Sequence, residues 1–522
     1  MKKNITLLVT LLFIFNSPGF AQLKQIAEGP KFEEPDNGDV KIIQMQNGGT
    51  VYFHLSPKDG LNLRVYDANH AEKISTTIDL GIDRVKEAKK EGAMFPSVNE
   101  EIIDGVFTVN NDLLLFITES SRKKTNSYKI VIDLVTGKLK ETKVIYTVDY
   151  VGRGVSVKKD EYSENYAIRV GRDITHYNSS HQEISKMSCQ SPLTDEDHRF
   201  FSFMGIVVVD DLQVCGFYSA EGKSTDAPGV LYMTSSKKGS SEVVYTKLNL
   251  PEDVTYKGGI AKYNPVTKKI LFLTIGKTKG KNSGYFPLLV MVDPVSFKVD
   301  KIESFSLLME LNEQYKDRYD KKGDYDGLPQ DIQINRDGST SIIYEEMLIQ
   351  STSSGNYTRN DTKLGKMIVV TIDKEGKFLS NYLVPKAHWV IFTQLGLFYH
   401  SQQKETTHEL WRGNQYKSFI YLSGAQGRYI LFNDTDRNDD VKRDKFVEIQ
   451  AVTACDAYMY KLLPGEAFPK REYLFGQQRK GNIMAMFLVS DYNPVTNTFV
   501  TLKLAKEHAK DNEINLIWLQ PE

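Results

Sequence analysis

The stretch 429–440, YILFNDTDRNDD, begins as a strand and ends with oxygen-bearing side chains at every second position: Asp434, Asp436, Asn438 and Asp440. Ca²⁺ binds through several oxygens, and alternating acids on a loop can wrap one ion. These four residues fall at positions one, three, five and seven of a calcium loop. Two positions depart from that pattern. Asp439 stands where Gly would allow the sharp turn, and Lys445 stands where a bidentate Glu belongs. The four are therefore candidate ligands of a looser Ca²⁺ loop, against the plainer reading of a hairpin end that hydrogen-bonds to itself. The acidic turn 320–327, DKKGDYDG, is a weaker version of the same signal.

A second kind of chemistry is aromatic. Trp389 and Trp411 stand near His388, Tyr399 and His400. Their ring faces are candidates for stacking on a sugar or peptide. The competing use is core packing, because aromatic side chains bury large areas.

The remaining signals exclude more than they assign. Gly276-Lys277-Thr278 follows a strand, but Leu271 stands where a phosphate loop needs its first Gly, and no helix start follows. Glu345 and Glu346 are neighbours on a strand, so they face opposite sides and cannot flank one substrate. The segment THELW (407–411) lacks the second His of a helical zinc pair. The cluster DEDH (195–198) reads as an exposed loop, and Ser120 and Lys123 fit a Ser-x-x-Lys pattern in a charged loop without a helix. No Gly-x-Ser-x-Gly elbow occurs. A catalytic group assembled from distant strands would leave no such motif.

The elements that must carry these residues are strands. Short β-branched and aromatic runs alternate with turn residues along most of the chain. One hairpin recurs: an apolar strand, an Asp or Asn, a short turn, then a more polar strand. It appears at Asp67, Asp133, Asn178, Asp293 and Asp373, with a related form near Thr234. Asp and Asn fix such turns by accepting from the backbone two residues on. The rise in polarity places the second strand of each hairpin on an outer edge. YNPVT occurs twice, at 263–267 and 492–496. Repeats of this size built from antiparallel strands predict an all-β fold, a β-propeller of seven blades, with six to eight allowed by the spacing. A β-sandwich array is the alternative. Two segments have helical composition, 83–92 and 305–319. In the second, Phe305, Leu308 and Met309 share a face with Asn312 and Tyr315, which suits packing against a blade.

Three stretches carry a resemblance: DGSTSIIYEEM (337–347), GKMIVVTIDKEGKFLSNYLVPK (365–386), and YILFND followed by Asn438. Together they resemble a set of uncharacterised exported bacterial propeller-like proteins, over the central and C-terminal half. The resemblance implies the fold and export. It brings no catalytic residue.

The first 21 residues read as a signal peptide: Lys2 and Lys3, a short apolar run from Ile5 to Phe15, and small residues at Gly19 and Ala21. Cleavage after Ala21 would leave residues 22–522 as a single propeller-like domain, exported to the periplasm or beyond. With 66 basic and 67 acidic side chains, the chain has no charge excess for nucleic acid or an anionic membrane surface. The chain is expected to be monomeric. Its cysteines are Cys189, Cys215 and Cys455; a 189–215 disulfide and buried thiols are equally consistent with them. The functional expectation is a non-enzymatic propeller that binds a protein, peptide or glycan partner in the cell envelope. The alternative is a propeller hydrolase or lyase with a site assembled across blades, and a third reading is a structural envelope component.

Overall fold

The computed structural model describes residues 23–521 apart from 57–58, 83–99, 121–123, 151–153, 194–197, 211–212, 223–228, 251–253, 279–284, 305–308, 355–356, 426, 439–444, 452–454, 477–481 and 507–511. The leader, the segment 83–92, Lys123, residues 195–197, Phe305, Leu308, Asp439 and Asp440 therefore lie outside the described residues.

The described strands form eight antiparallel sheets, each built on a core of four strands. Their first strands are Asp39–Gln44, Glu100–Val109, Ser156–Lys159, His198–Val209, Val254–Asn264, Leu328–Ile334, Phe419–Ser423 and Asn482–Ala485. We number the sheets one to eight in this order. In sheets one to seven the chain runs strand by strand from first to fourth. The eighth takes its last strand from the other end of the chain. Leu23–Glu28 pairs with Glu513–Pro521, with Leu23 opposite Pro521 and Glu28 opposite Ile517. Eight sheets are one more than the seven blades expected. The insertion 385–418 is largely non-strand, and the strands after it divide into two sheets.

The recurring hairpins join third to fourth strands. Asp67 accepts from the backbone N–H of Asn69 and Ala71, and Asp373 from those of Glu375 and Lys377, at 2.7–3.0 Å. Fourth strands are the most exposed, as in Lys138–Val148. The two YNPVT turns do more than close hairpins. Asn264 and Asn493 each accept from the next turn's N–H groups. Their amide nitrogens reach the neighbouring sheet, Asn264 to the Gly338 carbonyl at 2.9 Å and Asn493 to the Met45 carbonyl at 2.8 Å.

Strand period explains the core. Successive side chains point to opposite faces. On Lys269–Thr278, Leu271, Leu273 and Ile275 pack with sheet six, whereas Ile270 and Phe272 pack with sheet four. Apolar clusters join sheets one and two, two and three, three and four, four and five, and five and six. A larger cluster joins six, seven and eight. Another joins eight to one, where Trp518 is fully buried against Tyr66. Both faces of each sheet are thus covered only when its neighbours are present.

The helix in the segment 305–319 is Met309–Tyr319. It buries Leu311, Tyr315 and Tyr319 in the cluster between sheets five and six, a face offset from the one expected but docked against a sheet as expected. All three thiols are free and buried, so Cys189 and Cys215 are not bonded to each other. Cys189 lies 3.5 Å from the Thr234 hydroxyl, and burial pushes the Cys215 thiol up to about 12. No helix among the described residues is long and apolar enough to cross a membrane.

Candidate functional site

First strands of six of the eight sheets, and the short strand Asp491–Asn493 of the eighth, line one cavity of about 580 Å³, together with the end of a short helix. Lys41, Val106, Lys158, Lys262, Asn335, Tyr421 and Asp491 face it from sheets one, two, three, five, six, seven and eight. The helix, Tyr399–Glu405, belongs to the insertion between sheets six and seven. It begins at Phe398, which is buried and holds φ at +58°.

Polar contacts fix this helix to four sheets, and Lys41 links it onward to a fifth. Lys41 donates to the Lys404 carbonyl at 2.7 Å and to the Val106 carbonyl at 3.2 Å. Lys158 of sheet three pairs with Glu405. Asp331 of sheet six lies 3.1 Å from the Lys404 ammonium and 3.2 Å from His400 Nδ1, and is fully buried. His400 Nε2 meets the Phe419 carbonyl of sheet seven at 2.6 Å.

The electrostatics follow from burial and pairing. Burial pulls Lys41 down to about 8, against the opposing pull of Asp491 and Glu405. Burial would raise Asp331, but Lys404 and His400 hold it well below the usual carboxylate range. Lys262 is 3.0 Å from Glu161; burial works against its charge, and Glu161 with Asp331 more than restores it. The wall is thus charged in pairs, with tyrosines between them. Tyr162 is 40% exposed, so it can offer a ring face to a ligand.

A cleft of about 450 Å³ adjoins this cavity and shares Gln403, His408 and Leu488 with it. Apolar walls come from Val390, Phe392, Leu395 and Leu488, and Trp411 stands at the cleft with 43% of its surface exposed. His408 pairs through its backbone with Val40 at the edge of sheet one. His408 is 8% exposed, and neither ring nitrogen has a hydrogen-bond partner. Burial alone pulls it down to about 4, so it is neutral at pH 7. The side-chain oxygen of Gln403 is likewise buried and unbonded.

The sequence candidates separate. Trp411 lines the cleft. Trp389 does not; it is half-buried, donates to Asp361 at 3.1 Å, and carries Lys363 over its ring at 4.5 Å. Asp434 is buried and accepts from Asn438 at 2.8 Å, from Thr435 N–H at 2.8 Å and from Arg471 at 3.0 Å. Asp436 accepts from the Tyr458 and Tyr473 hydroxyls. Asn438 bonds both backbone groups of Val447. These three described residues form a self-bonded hairpin end with Arg471 supplying the positive charge. Among the described residues no group of three or more His, Cys, Asp or Glu side chains is arranged to hold a metal ion.

Glu345 and Glu346 diverge as strand geometry requires. Glu345 is fully buried, pairs with Lys386 and accepts from Tyr399 at 2.8 Å. Glu346 accepts from Tyr315 at 2.6 Å and lies 3.5 Å from Lys366. Lys41, Asp331, Gln403 and His408 carried no sequence signal as a group. His408 stood in view only as half of a missing zinc pair.

No protein-family model matches the chain, and no curated protein does. Solved structures with detectable likeness include a family PL25 ulvan lyase bound to -[GlcA(1-4)Rha3S]-, at 11% identity and a TM-score of 0.36, covering 87% of this chain and 98% of that one. The polysaccharide lyase Uly1 gives 11% identity and a TM-score of 0.35, over 80% and 89% of the two chains. The N-terminal domain of Nup159 gives 10% and 0.29, over 96% and 95%. The all-β, propeller-like architecture described above rests on this chain's own strand pairings.

Proposed function

We propose that this chain is an exported, eight-bladed β-propeller that binds a protein, peptide or glycan partner in the cell envelope without turning it over. The ring reading is supported by the succession of apolar clusters from sheet one through sheet eight and back to sheet one. It is supported also by the pairing of Leu23–Glu28 with the last strand, which removes a free sheet edge.

One observation carries the binding reading. The cavity that gathers side chains from seven sheets is lined by charges already engaged with one another or with carbonyls. Paired charges fix shape and offer donors and acceptors. Carboxylates and ammonium groups engaged in this way are poorly placed to act as the general acid and base that hydrolysis and elimination need; the unbonded His408 at the rim is the group the test below addresses. Export rests on the leader at residues 1–21 and on the resemblance noted above.

The test is direct. The chain comprising residues 22–522 is incubated with envelope material, and both retention and released products are measured. Retention with no release of reducing sugar or peptide is expected. Product release that a single substitution of Asp160, Glu161 or His408 abolishes would establish a hydrolase or lyase instead. Amino-terminal sequencing of the exported protein should begin at Gln22.

A further inference from the structure

We propose that the cleft between Trp411 and His408 is a binding subsite for an uncharged sugar ring. This deepens the binding reading above and rests on it.

The argument starts from what is left unbonded. Leaving a buried polar group without a partner costs about 1–3 kcal/mol. His408 offers one ring N–H and one bare ring nitrogen, both buried and both unbonded. The Gln403 oxygen is in the same condition and lines the same cleft. A neutral imidazole presents one donor and one acceptor. A hydroxyl group matches both, because it also donates and accepts. A carboxylate would find only one N–H there, and an ammonium, which accepts nothing, would leave the imidazole N–H unpaired.

Arg412 stacks over the Phe392 and Trp411 rings at 4.3 and 5.0 Å, and the charges in the lining itself are one of each sign. Glu409 and Lys417 both line it. Lys417 is committed to the Trp389 carbonyl at 2.8 Å and to the Asn414 side chain at 3.2 Å. The lining side chains therefore select neither sign by themselves. Phe392, Leu395 and the Trp411 ring give the cleft an apolar wall, with Thr393, Asn414 and Ser418 beside it. A pyranose has an apolar C–H face and a rim of hydroxyls, and this cleft has an aromatic wall and neutral hydrogen-bonding groups. Its volume of about 450 Å³ falls in the range of small-molecule sites, about 300–1,000 Å³. His408 also borders the central cavity, so a ring in the cleft can be the end of a longer chain lying in the cavity.

Isothermal calorimetry tests this with methyl glycosides of neutral hexoses and 6-deoxyhexoses. Glucuronate and glucosamine serve as charged counterparts. The wild-type chain is compared with Trp411→Ala, His408→Leu, His408→Gln and Trp389→Phe, each checked for an unchanged denaturation midpoint. Saturable binding of at least one neutral glycoside is expected, with affinity reduced about tenfold or more in Trp411→Ala and His408→Leu, a loss of about 1.4 kcal/mol. Partial recovery is expected in His408→Gln, which keeps a donor and an acceptor, and no change in Trp389→Phe. If His408→Leu does not fold, the exposed Trp411 carries the test alone. Absence of binding by every neutral glycoside, binding indifferent to Trp411→Ala, or tighter binding of a charged counterpart overturns the subsite. Envelope retention that survives Trp411→Ala and is not displaced by glycosides overturns the subsite alone. Turnover of the retained partner overturns the binding reading alone.

Discussion

The Asn493 side chain of sheet eight donates to the Met45 carbonyl of sheet one, 448 positions away in sequence. Asn264 makes the equivalent bond from sheet five to Gly338 of sheet six, and Tyr421 of sheet seven donates to Asn335 of sheet six at 2.7 Å. An Asn side chain thus links neighbouring sheets three times, as donor from sheets five and eight and as acceptor on sheet six, once between the two ends of the chain.

Replacing Asn493 with Ala leaves the buried Met45 carbonyl without this donor and removes the turn's own acceptor. A loss of about 1–3 kcal/mol is expected, read from urea or guanidinium midpoints. Asn264→Ala should cost a similar amount. If Asn493→Ala were neutral while Asn264→Ala was not, the contact between the last and first sheets would not contribute to stability.

Asp104 gives a pH signature. Burial raises its carboxyl to about 7, opposed by the Thr118 hydroxyl and the Val155 backbone. A group whose folded value lies above its unfolded value holds extra protons in the native state. Its contribution is present below the unfolded value and is lost as pH rises through the folded value. Asp104→Asn should therefore gain roughly 1–4 kcal/mol over wild type at pH 8 and little or nothing near pH 4. Equal effects at both pH values would show that titration of Asp104 is not the cause.

Lys41 runs the other way. Its folded value, about 8, lies below the ordinary lysine value. The unfolded chain binds more protons between the two, so the term it contributes strengthens as pH rises from about 8 toward 10. Lys41→Met should lack this increment, seen as a flatter difference curve between pH 7.5 and 10. The substitution also strips a donor from the Lys404 and Val106 carbonyls, so the variant is expected to be less stable at pH 10.

Arg471 and Asp434 are both buried, 3.0 Å apart. Removing one partner of a buried ion pair typically costs about 3–5 kcal/mol, and Arg471→Met should show a loss of that order. Millimolar Ca²⁺ is expected to leave the wild-type melting temperature unchanged, because Arg471, Asn438 and Thr435 already bond the Asp434 carboxylate. A rise in melting temperature with Ca²⁺ that disappears in Asp436→Ala would establish the cation loop.

Cys189, Cys215 and Cys455 should resist a thiol reagent in the native chain and react together on unfolding. Burial keeps Cys215 protonated, and only a thiolate is nucleophilic. Fast labelling of one thiol at native stability would show that its site opens locally.

The sequence alone determined the repeated unit of this protein. Alternating apolar residues and an Asp or Asn at the turn are local rules, so the hairpins at Asp67, Asp133, Asn178, Asp293 and Asp373 were legible without any neighbour. The offset between Glu345 and Glu346 was legible for the same reason. Tertiary structure decided what those strands bring together. Arg471 reaches Asp434 across 37 positions and places an ion pair within the calcium-like spacing. Lys41 meets the Lys404 carbonyl across 363 positions. Trp411 and Trp389 looked alike as sequence, yet one lines the cleft and the other packs on Asp361 and Lys363. His408 belongs to no motif; its ring is left unbonded only because an insertion lays it against the edge of the first sheet. Local periodicity fixes each strand's two faces, whereas the arrangement of whole sheets around one another decides which distant side chains share a cavity.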